Sequence, residues 1–177
     1  MDSTFMAGFA LFFVLIYGVI LLVSIGMAVL QIIASWKLYE KAGEPGWSAI
    51  IPIYNYMQMI KIALGSYKLA WIYLIFCGGY MVFAMAGGMI NVLGEQSDEL
   101  VVIQIAAMCM SFLMIVPLYI IAGYTSYMFA KSYGKSTAFC VLSIFFSQIM
   151  ILIMGFDKNT FYVGPKGVPQ YNQYGRF

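Results

Sequence analysis

The chain has 177 residues, of which 63% are apolar and only 9% charged, with no histidine, a net charge of +2 and a mean hydropathy of +0.90. A soluble domain carries about 25% charged residues to cover its surface, so a chain this poor in charge uses lipid as part of its solvent. The same balance excludes a disordered chain, a nucleic-acid binder, which needs clustered Lys and Arg, and a disulfide scaffold.

The first uncharged run, within 5–36, is long enough to cross a hydrocarbon core of about 30 Å and is expected to be the first transmembrane helix. It lacks a basic n-region and exceeds the length of a signal-peptide core, so it is expected to be retained. Breakers and charges then cluster: Lys37, Glu40, Lys41, Gly43, Glu44, Pro45, Gly46 and Pro52 mark a loop. Gly43 suits a helix end with positive φ, Pro45-Gly46 suits a tight turn, and Trp47 and Tyr54 suit anchors at the membrane interface. Within 53–64, Asn55, Gln58 and Lys61 recur every three residues, opposite Ile53, Met57, Ile60 and Leu64. This spacing predicts a short amphipathic helix lying in the interface, with Pro52 in its first turn, Gly65 at its end, and Lys61 and Lys68 reaching headgroup phosphates.

The second span is expected at 69–93, with Trp71 and Tyr73 near its start. Ala84 and Gly88 form a small-xxx-small pair, and Gly79 and Gly87 lie two turns apart on nearly one face, which allows close helix packing. A short acidic turn follows, then a third span over 100–130 with Pro117 inside it as a candidate kink. A basic loop containing Lys131 and Lys135 leads to a fourth span over 137–156, and 157–177 reads as an irregular polar tail. The fold class expected is therefore an all-α integral membrane protein, with a single four-helix transmembrane domain at 1–156, plus the short interfacial amphipathic helix. Lys37, Lys41, Lys61, Lys68, Lys131 and Lys135 put the first and third loops in the cytoplasm by the positive-inside rule, and four crossings then put both termini outside a cell membrane.

Chemistry is sparse. The spans hold no ionisable residue at membrane depth, which weighs against a pump or a proton-coupled transporter; their polar groups are Gln31, Asn91, Gln104 and Gln148. Without histidine, the usual serine triad is impossible, and Cys77, Cys109, Cys140 and the 14 Met residues read as apolar filler, with no metal or cofactor expected. Ser–Lys neighbours such as Ser35 with Lys37, Ser66 with Lys68, and Ser132 or Ser136 with Lys135 leave a membrane hydrolase as a weaker alternative. The expected partners are the lipid bilayer and a membrane-protein partner or further copies of the chain. Lys41, Gly43, Pro45, Gly46, Trp47, Tyr54, Asn55, Lys61, Lys131 and Lys135 form the candidate contact surface, and Gly79, Ala84, Gly87 and Gly88 the candidate packing face.

The stretch Trp36 to Asn55 resembles the W-K-x-x-E-K-A-G-x-P-G-W-x-x-I-x-P-x-Y-N signature of a family of small prokaryotic multi-pass membrane domains of unknown function. Phe129 to Ser136 is similar to that family's A-K-x-F-G-K-S element, with Tyr133 in place of Phe, and Gly155-Phe156-Asp157 and Tyr162-Val163-Gly164-Pro165 complete the likeness. The family's Pro-Trp-Trp run before the second helix is reduced here to Trp71 and Tyr73. Members are sometimes labelled signal peptidase I, but the Ser-Met nucleophile motif and the periplasmic β domain of that enzyme have no counterpart in this sequence. The function expected is that of a non-enzymatic accessory, scaffold or immunity-type binding protein; the alternative is a small oligomeric channel or facilitator, packed through the Gly-rich face of the second helix.

Overall fold

The computed structural model describes residues 3–92 and 97–169. Every regular element among these is helical: α1 (Ser3–Lys41), α2 (Pro52–Leu64), α3 (Lys68–Val92), α4 (Asp98–Ser132), α5 (Thr137–Phe145) and α6 (Ser147–Phe156), with single 3-10 turns at Gly46–Ala49 and Pro165–Gly167. Three helices are long and apolar enough to cross a membrane, over Gly8–Lys41, Lys68–Met89 and Asp98–Ser132. The acidic residues Asp98 and Glu99 sit in the first turn of α4, where they complement the helix dipole, and the Ser97 hydroxyl accepts a hydrogen bond from Leu100 N–H at 3.4 Å. The helix continues through Pro117 as one element.

α3 and α4 pack antiparallel. A Cβ on Gly79 would stand 3.6 Å from Met114 Sδ, and one on Gly87 3.8 Å from Ala107 Cβ, both ordinary van der Waals contacts. Gly79 and Gly87 thus face α4 within the same chain, whereas Ala84 and Gly88 are exposed. Met6 to Leu30 of α1 show their large apolar side chains to the surroundings, with Leu22 72% exposed.

The core gathers at one end of the molecule. Leu38 and Tyr39 of α1, Met59, Ile62 and Ala63 of α2, Phe129 and Ala130 of α4, Tyr133, Cys140 of α5 and Met154 of α6 form one buried cluster. α2 runs from Pro52, where a missing N–H is harmless, to Gly65 at φ +76°, whose N–H bonds Lys61 C=O. Its Gln58 is 1% exposed while Ile53 is 63% exposed, so part of the side expected to face headgroups is turned into the protein.

Residues 137–156 differ from the expected single helix. The chain breaks at Phe146 (φ −120°, ψ 42°), leaving helices of nine and ten residues, each about half the length that a crossing of about 30 Å requires. Segment 157–169 is irregular but docked: Val163 N–H donates to Ser132 C=O at 2.8 Å, and the Tyr162 hydroxyl donates to Ile62 C=O at 3.0 Å. It lies at the same end of the molecule as the loop after α1 and the loop after α4.

Candidate functional site

The basic end is built from the segments that carry the sequence signature. Gly43 leaves α1 at φ +77°, and the 3-10 turn that follows tucks Gly46 beneath the Trp36 indole, leaving no space for a side chain there. The Trp36 indole N–H donates to Glu40 Oε1 at 2.6 Å. Trp47 stacks on Tyr54 with ring centroids 5.4 Å apart, and the Tyr39 hydroxyl donates to both oxygens of Asn55, backbone and side chain.

Two ion pairs tie distant segments together. Lys61 of α2 meets Glu44 at 2.7 Å, and Gln58 joins them, donating to Glu44 at 3.4 Å and accepting from the Tyr67 hydroxyl at 3.1 Å. Burial works against the Lys61 charge, but the hydrogen bond and charge of Glu44 outweigh it and hold the ammonium above its ordinary range. Lys135 meets Asp157 Oδ2 at 2.9 Å. The Asp157 carboxylate also accepts from the Thr160 hydroxyl at 2.7 Å and Asn159 N–H at 2.9 Å. Those donors, Lys135 foremost, hold the Asp157 carboxyl well below the usual carboxylate range. Lys41 completes the junction by donating to the backbone carbonyl of Asp157 at 2.8 Å.

The helix ends here are closed by aromatic hydroxyls. Tyr133 donates to Leu38 C=O at 2.6 Å, across 95 residues of chain, and Tyr162 reaches the end of α2. Burial pushes both phenols up, Tyr162 to about 12. Between α2 and segment 162–169 lies a groove of about 510 Å³, walled by Glu44, Lys61, Leu64, Tyr162, Lys166 and Val168.

Of the expected contact residues, Lys41, Lys61 and Lys135 are engaged in these junctions, Gly46 is buried, and Gly43, Pro45, Trp47 and Lys131 are exposed. The backbone of Gly167 packs against Lys131, whose carbonyl oxygen would be 2.8 Å from a Cβ on that glycine. Glu44, Gln58, Tyr39, Asp157 and Tyr162 were not among the residues singled out as a contact surface. Asp157 and Tyr162 fall inside the quoted signature elements, so the signal for them was the signature itself, whereas Glu44 stands at one of its unspecified positions. Tyr39 gave no signal beyond being aromatic.

The Ser–Lys neighbours do not meet as hydrogen-bonded pairs among the described residues. Lys135 bonds Asp157, Ser132 Oγ donates to Phe129 C=O at 2.8 Å, and Ser136 Oγ accepts from Phe139 N–H. Lys37 lies over the Phe156 ring at 4.5 Å. No group of three or more His, Cys, Asp or Glu stands together among the described residues as a metal site. No protein-family model, curated protein or solved structure matches the chain.

Proposed function

We propose that this chain is a multi-pass cell-membrane protein that acts by binding, as an accessory, scaffold or immunity-type subunit, and that its basic end faces the cytoplasm. The observation that carries the reading is the groove at that end, whose walls come from the loop after α1, the end of α2 and segment 162–169, held together by Lys61–Glu44 and by Tyr162 on α2. A surface assembled from far-apart parts of the chain, with both signs of charge beside apolar Leu64 and Val168, has the composition of a protein-docking site. The engagement of Lys135 by Asp157 weighs against a Ser–Lys hydrolase. The packing of Gly79 and Gly87 on α4 weighs against an oligomeric channel seamed through that face. The likeness of Trp36–Asn55 to a family of small prokaryotic membrane domains is consistent with a binding role.

The cytoplasmic placement rests on charge. Lys37, Lys41, Lys61, Lys68, Lys131, Lys135, Lys158 and Lys166 all stand at the end where α1 and α4 finish, while the start of α4, at the other end, carries Asp98 and Glu99. The interfacial position of α2 belongs to the same reading: Ile53 and Trp47 stay exposed on the outside of the basic end.

Crosslinking in the native membrane at endogenous expression, followed by purification in mild detergent and mass spectrometry, tests the binding role. A near-stoichiometric partner that is lost in Val168→Arg, while the variant still inserts, supports it. A partner retained in that variant places binding elsewhere, and recovery of self-crosslinks alone overturns the accessory-subunit reading.

A further inference from the structure

A straight helix over 137–156 would be long enough to cross the bilayer and would deliver segment 157–169 to the far side. The geometry points to the opposite path. Immediately before α5, Lys135 forms its ion pair with Asp157, the first residue after α6, at 2.9 Å. Lys41, at the end of α1, donates to the carbonyl of the same Asp157, and Lys37 covers the ring of Phe156. Both ends of the α5–α6 segment are therefore held at the basic end.

The two arms can be followed down and back. α5 descends along α4: Ser143 Oγ donates to Ser126 C=O at 3.0 Å, and a Cβ on Gly123 would stand 3.2 Å from Ile144 Cγ2. The turn comes at Phe146, whose N–H donates to Leu142 C=O at 2.9 Å and whose C=O accepts from Met150 N–H at 3.0 Å, so the break leaves neither of its own backbone groups unpaired. α6 returns along α1: Gln148 shares a cleft with Ser24 and Gln31, and Gly155, nearer the end, lies against Ala34. At 1.5 Å per residue the arms reach about 13 to 15 Å, half of a core of about 30 Å.

We infer that residues 137–156 form a re-entrant helical hairpin that enters and leaves the bilayer at the basic end, so that the chain crosses three times and segment 157–169 lies on the same side as the loops after α1 and α4. Charge supports this independently of packing. Four crossings would carry Lys158 and Lys166 to the side of Asp98 and Glu99, against the positive-inside bias, whereas the hairpin keeps them with the other lysines. The hairpin also explains how the proposed docking groove comes to exist, since Tyr162, Lys166 and Val168 can wall it together with Glu44 and Lys61 only from one side of the membrane. The use of the groove rests on the binding reading; the hairpin does not.

Single cysteines at Glu99→Cys, Lys131→Cys and Lys158→Cys, introduced into the full chain with Cys77 and Cys109 replaced, test the path. All three positions are exposed, and Cys140 stays in place because it is 1% exposed and so shielded from reagent. An impermeant maleimide is applied to intact cells and again after permeabilisation, and the parent with Cys140 alone sets the background. The hairpin requires Lys158→Cys to label together with Lys131→Cys and opposite to Glu99→Cys. Labelling of Lys158→Cys together with Glu99→Cys means a fourth crossing and overturns it. If Lys131→Cys and Lys158→Cys both label from outside intact cells, the hairpin stands and the cytoplasmic placement fails. If Lys158→Cys inserts poorly, Asn159→Cys, one residue on and also exposed, gives the same comparison.

Discussion

Gly155 and Gly78 show how much a single hydrogen-for-methyl exchange depends on where the helix stands. A Cβ on Gly155 would come within 2.7 Å of Ala34 Cα and 2.8 Å of its carbonyl oxygen, backbone atoms of a helix that cannot swing aside. Gly155→Ala is therefore expected to cost about 1–3 kcal/mol, despite the helix propensity that it adds, and to lower the Tm in mild detergent. A Cβ on Gly78 meets nothing within 4 Å, so Gly78→Ala should be neutral or stabilising by up to about 1 kcal/mol in the same melt. Asp157 sets the pH response at this scale. Its carboxyl is depressed in the folded chain, first by Lys135, so its stabilising contribution is complete above the ordinary carboxylate value of about 4 and is lost as pH falls below that toward the folded value. Melts between pH 7 and pH 3 should show a fall in Tm on the acid side that is smaller in Asp157→Asn; equal falls in both proteins would mean that other carboxylates carry the acid response.

At the scale of elements, α2 and the α5–α6 pair show what periodicity conveys and what it omits. Polar residues every third position on α2 predict a two-faced helix, but spacing alone does not say whether the polar residues meet water, headgroups or protein. Here Gln58 is tied to Glu44, Tyr54 and Tyr67, because the loop after α1 folds back over that face. Gln58→Ala should accordingly cost about 1–3 kcal/mol through the partners left unpaired, while Ile53→Ala, on the exposed side, should leave the stability read from the detergent melt within about 0.5 kcal/mol of the parent. A headgroup-facing Gln58 would reverse that order in lipid nanodiscs. The break at Phe146 had no local signal at all, since neither Pro nor Gly lies between Thr137 and Phe145 or within the first turn of α6. What forces it is tertiary: Lys135, Asp157 and Lys41 converge after the segment has doubled back, and such long-range pairing is invisible to hydropathy summed along the chain. The class, long apolar helices with their charge confined to helix ends and loops, was legible from composition because lipid permits little else. The candidate site was legible only as a dense run of unusual residues, whose partners range from Lys61, 17 positions from Glu44, to Asp157, 116 positions from Lys41.

Taken whole, the molecule is graded from end to end: a packed, hydrogen-bonded basic end, and long helices whose outer parts leave most of their large apolar side chains exposed. Tyr39, Phe129 and Leu38 are essentially inaccessible, whereas Leu22, in the same helix as Leu38, is 72% exposed. The gradient assigns different solvents to two leucines of one helix, and so different penalties to the same substitution. Leu38→Ala removes side-chain volume from the cluster formed by α2, α4 and α6 and should cost about 2–5 kcal/mol, read as a large drop in Tm. Leu22→Ala removes contacts with lipid or detergent alone and should change the stability read from the same melt by no more than about 0.5 kcal/mol. Leu22→Lys separates the bilayer from water as the surrounding medium, because a lysine near the centre of a span costs about 2.5–3.5 kcal/mol on insertion and nothing comparable at a wetted surface. Its level in the membrane fraction should fall while Leu22→Ala keeps the parent's. Normal insertion of Leu22→Lys would mean that this part of α1 is screened from lipid by another polypeptide, and its crosslinks would then be the place to look for the partner.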